Sequence, residues 1–178
     1  MSQVVTVFGS GKAPEGSQLY QEALRLGQLL GAAGFDIATG GYSGVMEAVL
    51  RGALPYAVRR IGVITAELPH RSANPYVGEL LTVPTYLGRL QRLLELGTAY
   101  VLFPGGTGTL LELFALLALR ERLLLPERPI LCLGKQWQKV FDGIRDALPE
   151  MTEVQHMVSI CRGAEEVLAA LKRAVQTR

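Results

Sequence analysis

The chain has 178 residues, 49 % of them hydrophobic and 19 % charged, with a formal net charge of +2. That composition suits one globular domain with a sizeable core and is too apolar for a disordered chain. With near-balanced charge and no run of five or more Lys/Arg, it lacks the basic footprint of a nucleic-acid or membrane-surface binder.

In chain order, MSQVVTVFGSG has no charged segment ahead of an apolar one and does not read as a signal peptide. VVTVFG (4–9) reads as a buried strand, 15–33 as an amphipathic helix stopped at Gly34, and FDIATGG (35–41) as a second strand broken by glycines. GVMEAVLRGAL (44–54) is a second helix and RRIGVITAE (59–67) a third strand; LPHRSANPY (68–76) is a loop, and ELLTVPT (79–85) has room for a short extended piece. YLGRLQRLLELG (86–97) is helical with Gly97 as its stop. A strand over 98–103 then leads into a helix over 108–123. RPILCLG (128–134) is a strand, followed by a helix across 136–148, a last strand HMVSIC (156–161) and a last helix GAEEVLAALKRAV (163–175).

Cys132 and Cys161 sit inside apolar runs, which predicts free thiols in a reduced core rather than a disulfide or a metal site. No apolar stretch reaches membrane-spanning length uninterrupted, so the expected location is the cytoplasm.

Strands that are apolar throughout and alternate with helices predict an α/β fold, a single-domain, doubly wound, Rossmann-like parallel sheet. Ligands of such sheets sit at the carboxyl ends of the strands, near the point where strand order reverses. Three loops occupy that edge: Gly9-Ser10-Gly11-Lys12, Thr39-Gly40-Gly41-Tyr42-Ser43-Gly44 and Pro104-Gly105-Gly106-Thr107-Gly108-Thr109. Glycine lets a backbone approach a ligand closely, and a helix beginning just afterwards offers free N–H groups to an anion. A phosphate is the natural guest, with the Thr107 and Thr109 hydroxyls as further donors. Tight strand-to-helix turns would use glycines too, but two such loops, each opening a helix, favour the phosphate.

Two familiar nucleotide motifs are not met. A P-loop needs Ser/Thr after Gly-Lys, and Gly11-Lys12 is followed by Ala13. The dinucleotide fingerprint needs a third glycine where this chain has Pro14.

Glu112 is the only charge between Tyr100 and Arg120 and falls roughly one turn into its helix. Two explanations stand: an acid in a first turn favours the helix dipole, or an isolated carboxylate beside a phosphate loop has a partner and a task. The preceding helix carries Arg89 and Arg92; helix starts and strand ends share one rim of the sheet, so Arg89 is the better placed and Arg92 reads as solvated. His70 and His156 belong to no motif and read as surface residues.

PGGTGTLLE matches the PGGxGTxxE signature of the LOG proteins, nucleoside 5′-monophosphate phosphoribohydrolases often mislabelled lysine decarboxylases. The resemblance runs from VTVFGSG through TGGYSGVMEAV to about residue 134, and implies one nucleotide-binding domain over 1–178. By position it implies Arg89 and Glu112 as the catalytic pair. Gly9, Ser10, Gly41, Gly105, Gly106, Thr107, Gly108 and Thr109 are the expected phosphate or nucleotide contacts, and a homodimer or higher homo-oligomer is implied. The family's active enzymes typically carry Met-His-x-Arg-Lys at the arginine, where this chain reads Tyr86-Leu87-Gly88-Arg89-Leu90. A related branch resembles molybdenum-cofactor carrier proteins, so binding of a nucleotide or pterin without hydrolysis is the alternative.

No cofactor and no metal are expected. A decarboxylase using pyridoxal phosphate needs a lysine for its Schiff base, and only Lys12 stands near the ligand rim. Cleavage of an N-glycosidic bond passes through an oxocarbenium-like state that a carboxylate stabilises. Beside Arg89, Glu112 is expected to have a lowered pKa and to be ionised, a base or electrostatic stabiliser and not an acid.

Overall fold

Runs of three to six residues become the strands of one seven-stranded sheet in the computed structural model, which describes residues 3–176. The strands are β1 (Val4–Phe8), β2 (Asp36–Thr39), β3 (Arg60–Thr65), β4 (Glu79–Val83), β5 (Ala99–Leu102), β6 (Ile130–Leu133) and β7 (Ser159–Cys161). Between and after them lie α1 (Gln18–Ala32), α2 (Val45–Gly52), α3 (Tyr86–Leu96), α4 (Thr107–Glu121), α5 (Gln136–Ala147) and α6 (Ala164–Gln176). Every pairing is parallel, in the order β4-β3-β2-β1-β5-β6-β7. This is the α/β, doubly wound, Rossmann-like sheet that the sequence predicts.

β1, β2, β5 and β6 are buried along their whole length. Successive side chains leave opposite faces of a strand. Val5, Val7, Ile37, Val101 and Leu131 therefore pack beneath α1, α2 and α6, while Val4, Phe8, Ala38, Leu102 and Cys132 pack beneath α3, α4 and α5. Each of the Val, Leu, Ile and Phe side chains among them contributes about 1.5–3 kcal/mol when fully buried. Cys132 and Cys161 are free and buried, one on each face of the sheet.

Two expectations change. The extended piece at 79–85 is an edge strand, β4, paired in parallel with β3, and its half-exposed alternation made it faint in the sequence. The last strand is shorter than 156–161: His156 and Met157 belong to a 3-10 segment over Pro149–Met157. Register explains it. Ser159 lies opposite Leu131, so earlier residues would face Ile130 and then Pro129, which has no N–H for a ladder. Among the described residues no helix is long and apolar enough to cross a membrane.

Helices α1 and α2 touch backbone to backbone. A Cβ on Gly27 of α1 would stand 2.0 Å from the Val49 carbonyl oxygen, and one on Gly52 of α2 would stand 2.1 Å from that of Leu24. Gly27→Ala must therefore push the two helices apart. The expected outcome is a loss of at least about 2 kcal/mol in urea unfolding, where an exposed helical Gly→Ala change would stabilise by up to about 1 kcal/mol.

Candidate functional site

The chain leaves β1 toward β2 and leaves β5 toward β6, on opposite sides, so a crevice opens between their carboxyl ends. Main-chain bonds hold the loops around it together. The Ser10 N–H donates to the Pro104 carbonyl (3.2 Å), and the Val45 N–H donates to the Ser10 carbonyl (3.0 Å). The Ser43 hydroxyl adds a bond to the Gly11 carbonyl (2.8 Å). Gly44 takes a positive φ of 70°, and a Cβ there would lie 2.3 Å from the Ser10 oxygen, so only glycine fits.

Helix α4 starts at Thr107 with Gly106 as its N-cap and no side chain capping it. Its first main-chain bond runs from the Leu110 N–H to the Gly106 carbonyl, which leaves the preceding amides unbonded within the helix. Those donors and the positive end of the helix dipole face a cleft of about 290 Å³. Gly9, Ser10, Gly106, Thr107, Gly108, Thr109, Arg89 and Glu112 all line it. Gly105 and Gly41 do not: a Cβ on the exposed Gly105 would strike the Thr109 hydroxyl, and the buried Gly41 gives its carbonyl to the Asn74 amides (2.8 and 2.9 Å).

Arg89 comes from the first turn of α3 and is 5 % exposed. Its Nε donates to the Val63 carbonyl (2.7 Å) and its Nη2 to the Gly40 carbonyl (2.9 Å). A Cβ on Gly40 would overlap that nitrogen, at 1.6 Å. The guanidinium carbon lies 5.2 Å from the centre of the Tyr42 ring and 5.8 Å from that of Tyr86. Carbonyl dipoles and aromatic faces thus stand where a carboxylate usually would. Among the described residues its Nη1 makes no hydrogen bond.

Glu112 does not pair with it. The two side chains form no ion pair, and Glu112 accepts no hydrogen bond among the described residues. It also lies in the second turn of α4, beyond reach of the helix-end effect, so the dipole does not account for it. The expected ionised carboxylate is corrected as well: burial pushes the Glu112 carboxyl up to about 8, and the charge of Arg89 opposes this only in part. At neutral pH the acid is protonated, because desolvation outweighs a cation that is not in contact.

With Glu112 neutral, the charges lining the cleft are those of Lys12, Arg71 and Arg89, all positive. The Arg71 guanidinium carbon also lies near Tyr42, 5.6 Å from the centre of its ring. The irregular segment carrying it is tied down by Asn74, whose Nδ2 donates to the Gly41 and Tyr42 carbonyls. Tyr42, Met46, Leu68, Arg71 and Tyr86 complete the lining and were not singled out from sequence. Tyr42 and Tyr86 adjoin the second glycine loop and Arg89, a signal that was available; Leu68 and Arg71 arrive through a loop without a pattern. Arg92 is exposed and pairs with Glu95, and His70 and His156 are exposed.

The family described as possible lysine decarboxylase matches residues 46–172. A pyrimidine/purine nucleotide 5′-monophosphate nucleosidase of Escherichia coli K12 is 35 % identical over 128 residues, covering 65 % of this chain; the chain spans only 27 % of that relative's length. A cytokinin riboside 5′-monophosphate phosphoribohydrolase of Mycobacterium marinum is 30 % identical over 147 residues, covering 82 % of this chain and 77 % of the relative. Among solved structures, the molybdenum cofactor binding protein of Rippkaea orientalis superposes with a TM-score of 0.77 at 22 % identity, over 98 % of both chains. The molybdenum cofactor carrier protein of Chlamydomonas reinhardtii gives 0.75 at 23 % identity, over 99 % of both. At those identities the likeness is one of fold.

The raised Glu112 pKa has a consequence for stability. Below pH 4.5 the group is protonated in the folded and unfolded chain alike; as pH rises from 4.5 through 8 the unfolded chain ionises first and the wild type loses stability. Glu112→Gln carries no such cost. Its melting temperature is expected to match the wild type at pH 4.5 and to exceed it by about 5 °C or more at pH 9.

Proposed function

The chain belongs to the LOG family, described as possible lysine decarboxylase, and from that premise we propose that it hydrolyses the N-glycosidic bond of a nucleoside 5′-monophosphate to free base and ribose 5-phosphate. The observation that carries this reading is the Glu112 carboxyl: desolvated, without a hydrogen-bond partner and on the wall of the same cleft as the uncapped start of α4. The 5′-phosphate sits on the α4 amides, with the Ser10 loop and Lys12 beside it and the Thr107 and Thr109 hydroxyls as added donors. Gly9, Gly106 and Gly108 give it room; Gly41 and Gly105 serve by shaping the two loops.

Glu112 is the one carboxyl group among the lining residues. In its neutral form it donates its proton to a ring nitrogen of the base as the C1′–N bond breaks, so the base leaves uncharged. The carboxylate so formed faces the oxocarbenium-like sugar and stabilises it. It then takes a proton from the water that adds to C1′, which restores the acid and completes the hydrolysis. Arg89, held by Val63 and Gly40, keeps Nη1 for the substrate and adds positive potential at the phosphate end.

A homo-oligomer goes with this reading. Leu87 on α3 and Leu111 on α4 are 68 % and 41 % exposed, and each neighbours a cleft residue, Tyr86 and Glu112. A second copy seated there buries both and closes the cleft to water. Two buried, free cysteines fit a reducing compartment such as the cytoplasm.

The activity is read by incubating the protein with AMP, GMP, CMP and UMP and following free base by chromatography. Glu112→Gln is expected to lower kcat about 100-fold or more while AMP still raises the melting temperature. Full activity in that variant would remove Glu112 from the chemistry. Stabilisation by AMP with no base released by the wild type would replace hydrolysis with carriage of the ligand. Leu111→Asp is expected to lower the sedimenting mass toward the 19.3 kDa of a single chain.

A further inference from the structure

Tyr86 is held more firmly than its place at the start of a helix requires. It is the first residue of α3, with Thr85 as N-cap, and its N–H donates to the Glu67 carboxylate (2.6 Å). Its ring lies against the Arg89 guanidinium, three residues on. The ring is thus held by its backbone and by its stacked neighbour, yet its hydroxyl makes no hydrogen bond among the described residues.

That hydroxyl oxygen stands 3.4 Å from where a Cβ on Gly108 would be. Gly108 is the second residue of α4, and Glu112 lies four residues later on the same helix face. The Tyr86 hydroxyl therefore lies over Gly108 in the first turn of α4, and Tyr86 and Glu112 line the same cleft. A hydroxyl placed there is within reach of a ligand oxygen seated on those amides.

We propose that Tyr86 is a substrate-binding residue, whose hydroxyl donates a hydrogen bond to the 5′-phosphate seated on the first turn of α4. The contact rests on the reading above for the phosphate itself, not for the hydrolysis. It selects phosphorylated over unphosphorylated ligands, because an O–H bonded to a charged oxygen gains more than one bonded to a neutral hydroxyl. It also sets the distance between phosphate and Glu112, since the same ring packs on Arg89.

The test is Tyr86→Phe, which removes one oxygen that bonds nothing among the described residues. Binding of ribose 5-phosphate is measured by calorimetry, and the melting temperature of the ligand-free protein is measured alongside. The expected result is an affinity about 10-fold or more below wild type with an unchanged melting temperature. Equal affinity in the two proteins overturns the contact, and so does a weakened affinity accompanied by a matching fall in melting temperature. A wild type that binds ribose 5-phosphate through Tyr86 but frees no base from nucleotides upholds the contact while the hydrolase reading fails. A wild type that does not bind ribose 5-phosphate overturns the contact outright.

Discussion

Two main-chain hydrogen bonds, one on each side of Ser10, hold the functional end of this molecule together. Its N–H reaches the loop after β5 and its carbonyl receives the amide that opens α2. The loop after β1 is thereby clamped between the two glycine loops at the point where strand order reverses. Backbones can approach this closely only without side chains between them, which is why glycine stands at 44. The clamp places the uncapped start of α4 in the crevice and fixes where its free amides lie relative to the side chains around them.

The electrostatics of the cleft follow from what the packing withholds. Arg89 is buried with carbonyl and aromatic partners but no carboxylate, and Glu112 is enclosed with no cation in contact. Pairing them would have neutralised both charges and left an inert ion pair. Kept apart, the arginine retains its field and the acid retains its proton, so the cleft is positive and holds a neutral carboxyl. That arrangement costs stability, as sites poised for chemistry commonly do.

The comparisons divide along the same line. The fold is shared with molybdenum-cofactor proteins over nearly the whole chain, while the relatives of higher sequence identity are nucleotide-cleaving enzymes. A doubly wound sheet positions a crevice but does not decide what happens in it. In the proposed function that part falls to a few side chains at the rim: Glu112, Arg89 and the two tyrosines that bracket the arginine.

Much of this was legible in the residues. Apolar runs without alternation required a sheet covered on both faces, and glycine-rich breaks before helices marked the ligand edge, because both follow from local backbone and burial rules. PGGTGTLLE pointed to the uncapped start of α4 and to the one carboxyl among the residues lining its cleft. The state of that acid was not legible: from spacing, Arg89 beside Glu112 meant an ionised carboxylate, and the opposite holds because a pKa depends on enclosure and true distance rather than sequence separation. Nor could the sequence show that Gly41 turns its carbonyl to Asn74, or that 66–78 brings Arg71 to the cleft, since a loop without periodicity takes its course from the contacts it finally makes. Strand, helix and motif were determined residue by residue; the charge of the site was decided only once the chain had closed around it.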